Sequence, residues 1–377
     1  MEWFNIIGGS DELSGFREKC DPLKYNYTPA ILPKTKKIIV FGDIHGDLGL
    51  AVRLLKKSNV AVFVDDIELI MKYDPFYIWN RRTVKWIGRD TIVVQVGDQV
   101  DRCRPLTSGQ LCNNPTTTRD DEANDILIMN LFNELDRQAV KKTNGRVISL
   151  FGNHEIMNST GYLDYVSYKG IEQFRKYNSE NPSMGRYDAF KPSGEIGMMM
   201  GCTRVPAIII GSNLFVHAGF VDRLLKKIGI NLKDKKLARE KLENINREIR
   251  GWLLGTVTQE NIDPIISSSS DSIFWTRLLG KIPHGIDLAD PRCTDNITGV
   301  LEVFDINSII IGHTPMSFLY DQKINSTCSG KVWRVDQGSS KAFNGFDNEF
   351  LSTGHVNNNR EDMYLEILDD HIYTVRQ

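Results

Sequence analysis

Five short apolar runs in this 377-residue chain end in the same way, on glycine beside residues that bind metal ions. Phe41 leads into Gly42-Asp43-Ile44-His45-Gly46, Val96 into Gly97-Asp98-Gln99-Val100-Asp101-Arg102, and Phe151 into Gly152-Asn153-His154-Glu155. Val216 leads into His217-Ala218-Gly219, and Ile311 into Gly312-His313-Thr314-Pro315. Four of the seven histidines (His45, His154, His217, His313) fall in these positions. A lone histidine after a strand is usually a satisfied polar residue, and a lone Gly-Asp a turn. Five such ends in series are not explained that way, because ordered multi-part motifs have few chance matches. Carboxylate, carboxamide and imidazole together suit Mn, Fe or Zn better than Ca or a thiolate-seeking ion.

These groups act together only if the fold brings them together. Strand-like runs lie at Lys37–Phe41, Thr91–Val96, Arg146–Phe151, Ala207–Ile210, Leu214–Val216 and Ile309–Ile311, with further runs at Val332–Val335, Tyr364–Leu368 and Ile372–Val375. Between the first two, Leu48, Ala51, Leu54 and Leu55 recur at helical spacing, and between the second and third Ile128, Leu131, Phe132, Leu135 and Ala139 do the same. Alternating strand and helix predicts an α/β fold with a partly parallel sheet covered by helices. Ligands of such sheets bind beyond the carboxyl ends of the strands. Parallel neighbours therefore bring Asp43, His45, Asp98, Asn153, His154, His217 and His313 to one rim.

Composition narrows the partners. Lys+Arg at 46 against Asp+Glu at 48 leaves a net charge of -2. No global field exists to hold nucleic acid or an anionic membrane, so neither is expected as a partner. With 41% apolar residues there is ample chain for a core. The first residues lack the basic start and apolar run of a signal peptide. The longest uncharged stretch, 205–221, is too short and broken to span a bilayer. The six cysteines are scattered, with no C-x-x-C pair and too low a density for a disulfide scaffold. A soluble, cytoplasmic or otherwise intracellular protein with reduced cysteines is expected.

The ordered motifs GDIHG, GDQVDR, GNHE, HAG and GHTP resemble the phosphoprotein phosphatase family of calcineurin-like metallophosphoesterases, from about Lys36 to about Gly345. Trp86-Ile87-Gly88, Val94 to Asp98, Gly152 to Asn158, Phe274-Trp275-Thr276-Arg277 and Val335 to Ser339 are similar to its bacterial-type, Shewanella-like branch. The resemblance implies a central β-sandwich of mixed sheets flanked by helices, and two divalent ions. One ion is implied to sit on Asp43, His45 and Asp98. The other is implied to share Asp98 and to take Asn153, His217 and His313. It further implies His154 as general acid, Asp101 as its orienting partner, and Arg102 and Arg277, with Asn153, as groups that hold the phosphate. The implied activity is hydrolysis of phosphoserine, phosphothreonine or phosphotyrosine in a phosphorylated protein or peptide by a hydroxide between the metals. Phosphomonoesters are among the slowest esters to hydrolyse unaided, and two ions about 3.5–4 Å apart answer that difficulty. Two alternatives remain open: a hydrolase of dinucleoside polyphosphates or other small phosphate esters, and a catalytically silent metal-binding scaffold.

The expected layout is an irregular lead-in over 1–34 and a catalytic domain over 35–377 with three insertions. Residues 65–89, with Trp79 and Trp86, are expected to pack on the body as a small subdomain. Residues 104–124 read as a polar loop beside the metal rim, either narrowing access or simply solvated. Residues 231–270 hold an amphipathic helix at 231–254 and a Ser267–Ser270 linker. Two departures from the family pattern stand out: Cys103 follows Arg102, and Ala218 follows His217, where glycine is usual. Met198 to Met200 read as core, and His284, His355 and His371 are given no role.

Overall fold

Runs such as Lys37–Phe41 are apolar at consecutive positions, the composition of strands covered on both faces. In the computed structural model, which describes residues 16–21, 25–64, 76–231 and 234–377, this is their setting. In chain order the strands are β1 (Ile31–Leu32), β2 (Lys37–Phe41), β3 (Ala61–Phe63), β4 (Val84–Trp86) and β5 (Ile92–Gln95). Then come β6 (Arg146–Leu150), β7 (Arg204–Val205), β8 (Ala207–Ile210), β9 (Asn213–Val216) and β10 (Ser308–Ile311). The last are β11 (Asn325–Thr327), β12 (Val332–Arg334), β13 (Tyr364–Leu368) and β14 (Ile372–Arg376).

Two mixed six-stranded sheets result, in the orders β14-β13-β2-β5-β6-β7 and β1-β8-β9-β10-β12-β11. The single sheet suggested by the strand–helix alternation is thus two, stacked as the family resemblance implied. Ile38, Val40 and Val94 of one sheet share an inner core with Ile208, Phe215 and Ile310 of the other. Alternate residues face outward, as the two-residue strand period requires. Ile39, Phe41 and Val93 pack under helices Leu48–Lys57 and Asp125–Lys142 through Leu55, Leu131 and Leu135. On the opposite side Leu214, Ile309 and Ile311 pack under helices Lys235–Leu253 and Pro291–Phe304 through Leu242, Ile249 and Val300.

Within this four-layer arrangement β2, β5 and β6 run parallel, as do β9, β10 and β12. Six carboxyl ends therefore point to one edge. The two sheets meet there closely enough that a Cβ on Gly42, after β2, would collide with the Val335 carbonyl after β12.

The described parts of the first insertion and of the lead-in pack on the body. β3 and β4 pair antiparallel, and Trp79 and Trp86 sit in the helix-side core; residues 65–75 of that insertion lie outside the described residues, as do 1–15 and 22–24 of the lead-in. The lead-in contributes β1, which pairs with β8. Met199 and Met200 are core, as read. Among the described residues no helix is long and apolar enough to cross a membrane.

One expectation fails. All six cysteines are paired, as Cys20–Cys202, Cys103–Cys112 and Cys293–Cys328. The partners lie 182, 9 and 35 residues apart, so only folding brings most of them together. These are not the reduced thiols expected of an intracellular protein. Closing so long a loop makes Cys20–Cys202 the costliest to lose. Replacing both cysteines with alanine is expected to lower the unfolding free energy by about 2–5 kcal/mol. A urea titration under non-reducing conditions measures this, and an unchanged midpoint would contradict it.

Candidate metal centre

The loops after these strands are sewn to one another by backbone. The N–H groups of Ile44 and His45 donate to the Asp98 carbonyl at 3.0 and 2.9 Å, and Gly46 N–H donates to the Gln99 carbonyl at 2.9 Å. Glu155, fully buried, joins the next loop: its carboxylate accepts from the N–H of Asp98 (2.9 Å), Gln99 (2.8 Å) and Gly152 (2.7 Å). These ties hold strained backbone. His45, Asp98, Asp101 and His313 have φ of 47, 55, 71 and 64°, a left-handed region that costs non-glycine residues of order 1–3 kcal/mol each. Gly152 and Gly312 are needed for approach, since a Cβ on either would strike the carboxylate of Asp98 or Asp43.

This edge opens into a cavity of about 1160 Å³ lined by His45, Asp98, Asn153, His154, Arg277, His313 and Asp336, among others. Asp43 and His217 are buried behind them. A carbonyl only accepts, so His217 Nδ1 donates to the Val96 carbonyl (2.8 Å) and its Nε2 is turned inward. There Nε2 lies 2.9 Å from Asn153 Oδ1 and 3.3 Å from Asp98 Oδ2. His45 repeats the device: Nδ1 meets the Val100 carbonyl at 3.2 Å, and Nε2 is 3.8 Å from both Asp43 Oδ2 and Asp98 Oδ2. Committing one imidazole nitrogen to a carbonyl leaves the other oriented as a ligand. His313 Nε2 is buried with no hydrogen-bond partner among the described residues.

Two buried groups of donor atoms follow, His45/Asp98/His154 and Asp98/His217/His313, each within 4.8 Å. Burial pushes Asp43 well above the usual carboxylate range, helped by Asp336 and Asp98. Burial opposes ionisation of Asp98 too, but the imidazoles of His217, His154 and His45 hold it well below that range. Burial also pulls His45 and His313 down, whereas at His217 the Asp98 carboxylate outweighs burial and raises the ring above its ordinary value. Inward lone pairs, an unpartnered nitrogen and crowded carboxylates fit divalent cations.

His154 stands beside them with a different attachment. Its Nδ1 is 2.7 Å from Asp101 Oδ2, and its Nε2 faces Asp98 Oδ2 at 3.9 Å. Asp101 is itself held by Asn158 Nδ2 at 2.9 Å and Arg186 Nη2 at 3.3 Å. Arg186 comes from helix Pro182–Phe190, is fully buried and also bonds Asp125 at 2.7 Å. Outside every motif, it carried no signal in the sequence. Asp336, from the sixth strand end, stands in the Val335–Ser339 run that carries part of the family resemblance.

The arginines divide. Arg277 lines the cavity with Nη1 on the His313 carbonyl at 2.8 Å. Arg102 does not line it. Its buried guanidinium turns to Asp120 Oδ2 (3.1 Å) and Asp47 Oδ2 (3.8 Å). Asp120 is the first residue after the 104–119 stretch, and neither it nor Asp47 lines the cavity. Arg104 occupies the cavity wall instead.

Residues 36–317 match the calcineurin-like phosphoesterase profile. The chain belongs to that family. Among relatives of this phosphoesterase, an uncharacterised protein R398 of Acanthamoeba polyphaga mimivirus is 33% identical over 65% of this chain and 97% of its own. Shewanella-like protein phosphatase 2 of Arabidopsis thaliana is 25% identical over 82% of this chain and 72% of its own. A cold-active protein tyrosine phosphatase structure superposes with TM-score 0.59 at 18% identity, covering 95% of this phosphoesterase and 83% of that chain. The fold is therefore the metallophosphoesterase sandwich.

Glu155 underlies the geometry without lining the cavity. Glu155→Ala strands three buried N–H groups, an expected loss of about 3 kcal/mol or more. Calorimetry of the metal-free protein tests this, and a loss under about 1 kcal/mol would mean that the loops hold their form without it.

Proposed function

We propose that this phosphoesterase is a dinuclear, metal-dependent phosphatase acting on phosphorylated proteins or peptides. Asp43, His45 and Asp98 would hold one divalent ion, and Asp98, Asn153, His217 and His313 the other, of the Mn, Fe or Zn class. Bound there, such ions supply charge neutralisation at the phosphoryl oxygens and a more acidic water. The observation that carries the reading is the His154–Asp101 pair set against the two His/Asp clusters. His154 Nε2 faces the cavity and donates its proton to the departing alkoxide oxygen. Its Nδ1–H on Asp101 keeps the ring aimed, and Asn158 and Arg186 keep Asp101 in place. Arg277, anchored on the His313 carbonyl, keeps its other donors for a phosphoryl oxygen.

The cavity supports a peptide rather than a small anhydride. Exposed Leu106, Leu111, Tyr162 and Phe346 line it, an apolar rim suited to the residues beside a phosphorylated side chain. The relatives named protein phosphatases are consistent with such a substrate. Three disulfides suit an oxidising compartment.

Phosphate release from a phosphopeptide array with Mn²⁺, alongside diadenosine tetraphosphate, tests the substrate class. Release from the peptides is expected, and hydrolysis of the dinucleotide alone would contradict the reading. His154→Asn is expected to lower kcat on a phosphoserine peptide about 10²–10⁴-fold. Bound metal should stay unchanged. A smaller loss is expected on p-nitrophenyl phosphate, whose leaving group needs no proton. Loss of an ion instead would make His154 a ligand, as its cluster with His45 and Asp98 allows.

A further inference from the structure

One buried carboxylate of the cavity wall has an oxygen that nothing uses. Asp336 is 2% exposed and lines the cavity with His45, Asp98 and His313. Its backbone is tied to both ends of the loop that carries His313. Val335 N–H donates to the Ile311 carbonyl at 2.8 Å, and the Asp336 carbonyl accepts Met316 N–H at 3.0 Å. From the other sheet Gly42 comes so close that an added Cβ would lie 3.0 Å from the Asp336 Cα. Gly42 precedes Asp43, whose Oδ2 accepts His313 N–H at 3.1 Å. Asp336 therefore stands on the Asp43 side of the cluster.

The carboxylate is also oriented. Its Oδ1 accepts Gly338 N–H at 2.9 Å, in a turn that Gly338 makes with φ of 77°. Oδ2 is left over, buried and with no hydrogen-bond partner among the described residues. Arg277, on the same wall, places Nη1 on the His313 carbonyl and not on Asp336. A buried carboxylate oxygen without a donor is costly, and more so with Asp43 and Asp98 nearby. A bound cation and its water meet that need. The ion proposed for Asp43, His45 and Asp98 has three protein ligands, one fewer than its neighbour. Metal ions with three protein ligands complete their coordination with water, and groups around an ion need hydrogen-bond partners of their own.

We infer that Asp336 is an outer partner of the metal centre, its Oδ2 accepting from water on the ion held by Asp43, His45 and Asp98. The inference rests on the dinuclear reading above. It gives the end of β12 a task of its own: this strand supplies no ligand, yet it carries the acceptor that a set of three ligands leaves wanting.

Asp336→Asn is the informative variant. An amide has one acceptor oxygen, which the Gly338 N–H retains, so its NH2 turns a donor to the place where an acceptor is required. Equilibrium dialysis against Mn²⁺ is expected to show one of the two ions bound about 10- to 100-fold more weakly than in wild type. Thermal unfolding of the metal-free protein separates this from a structural role. Removing a buried, unpaired charge should leave D336N at least as stable as wild type, whereas a residue needed for the fold would lower the midpoint. Crystals of Mn²⁺-loaded wild type should show a water between Oδ2 and the ion. Unchanged affinity for both ions, a lowered midpoint with affinity retained, or Oδ2 bound directly to the ion would overturn the inference alone. Wild type that takes up no Mn²⁺ would remove the dinuclear reading as well.

Discussion

A buried carboxylate surrounded by imidazoles is the constraint on which the rest depends. Asp98 has His217, His45 and His154 within 3.9 Å. Left to burial alone it would prefer a proton, and the rings are what keep it charged. Those rings come from β2, β6 and β9, strands of two different sheets, so the carboxylate is in effect where the sheets are joined. The φ of 55° at Asp98 itself marks the backbone strain accepted to put it there.

The surroundings read as compensation for that strain. Glu155 collects three amides, the loop after β2 donates to the Asp98 carbonyl, and Asp101 is held from behind by Asn158 and Arg186. A site made this way is rigid before any ligand arrives. That suits a reaction whose charge must be met by groups already in position. The cavity wall is different in kind. Loop residues beyond Cys103 bring a cation, two aromatic neighbours and an apolar rim, held to the scaffold by one short disulfide.

Much of the scaffold was legible because burial on both faces leaves a strong mark. Lys37–Phe41, Ala207–Ile210 and Tyr364–Leu368 are strands with the bounds that their apolar runs suggest. β1, β3, β4, β7 and β11 have two or three residues each, too few to show a period. The residues that cluster at this edge were legible because each stands within four residues of a strand's carboxyl end. Direction is harder to read: motif spacing places Arg102 on the rim, and in the structure its buried guanidinium meets the carboxylate and carbonyl of Asp120, 18 residues further on. Cys20 and Cys202, like Arg186 and Asp101, meet only through the fold, so no local pattern announces them.

Everything turns on whether opposite sides of Asp98 each accept an ion. Anomalous diffraction from crystals grown with Mn²⁺ gives the answer most directly. The account predicts two peaks bridged by the Asp98 carboxylate, one beside His45 and Asp43 and one among Asn153, His217 and His313, with His154 unligated. A single peak, or none in that cluster, would contradict it.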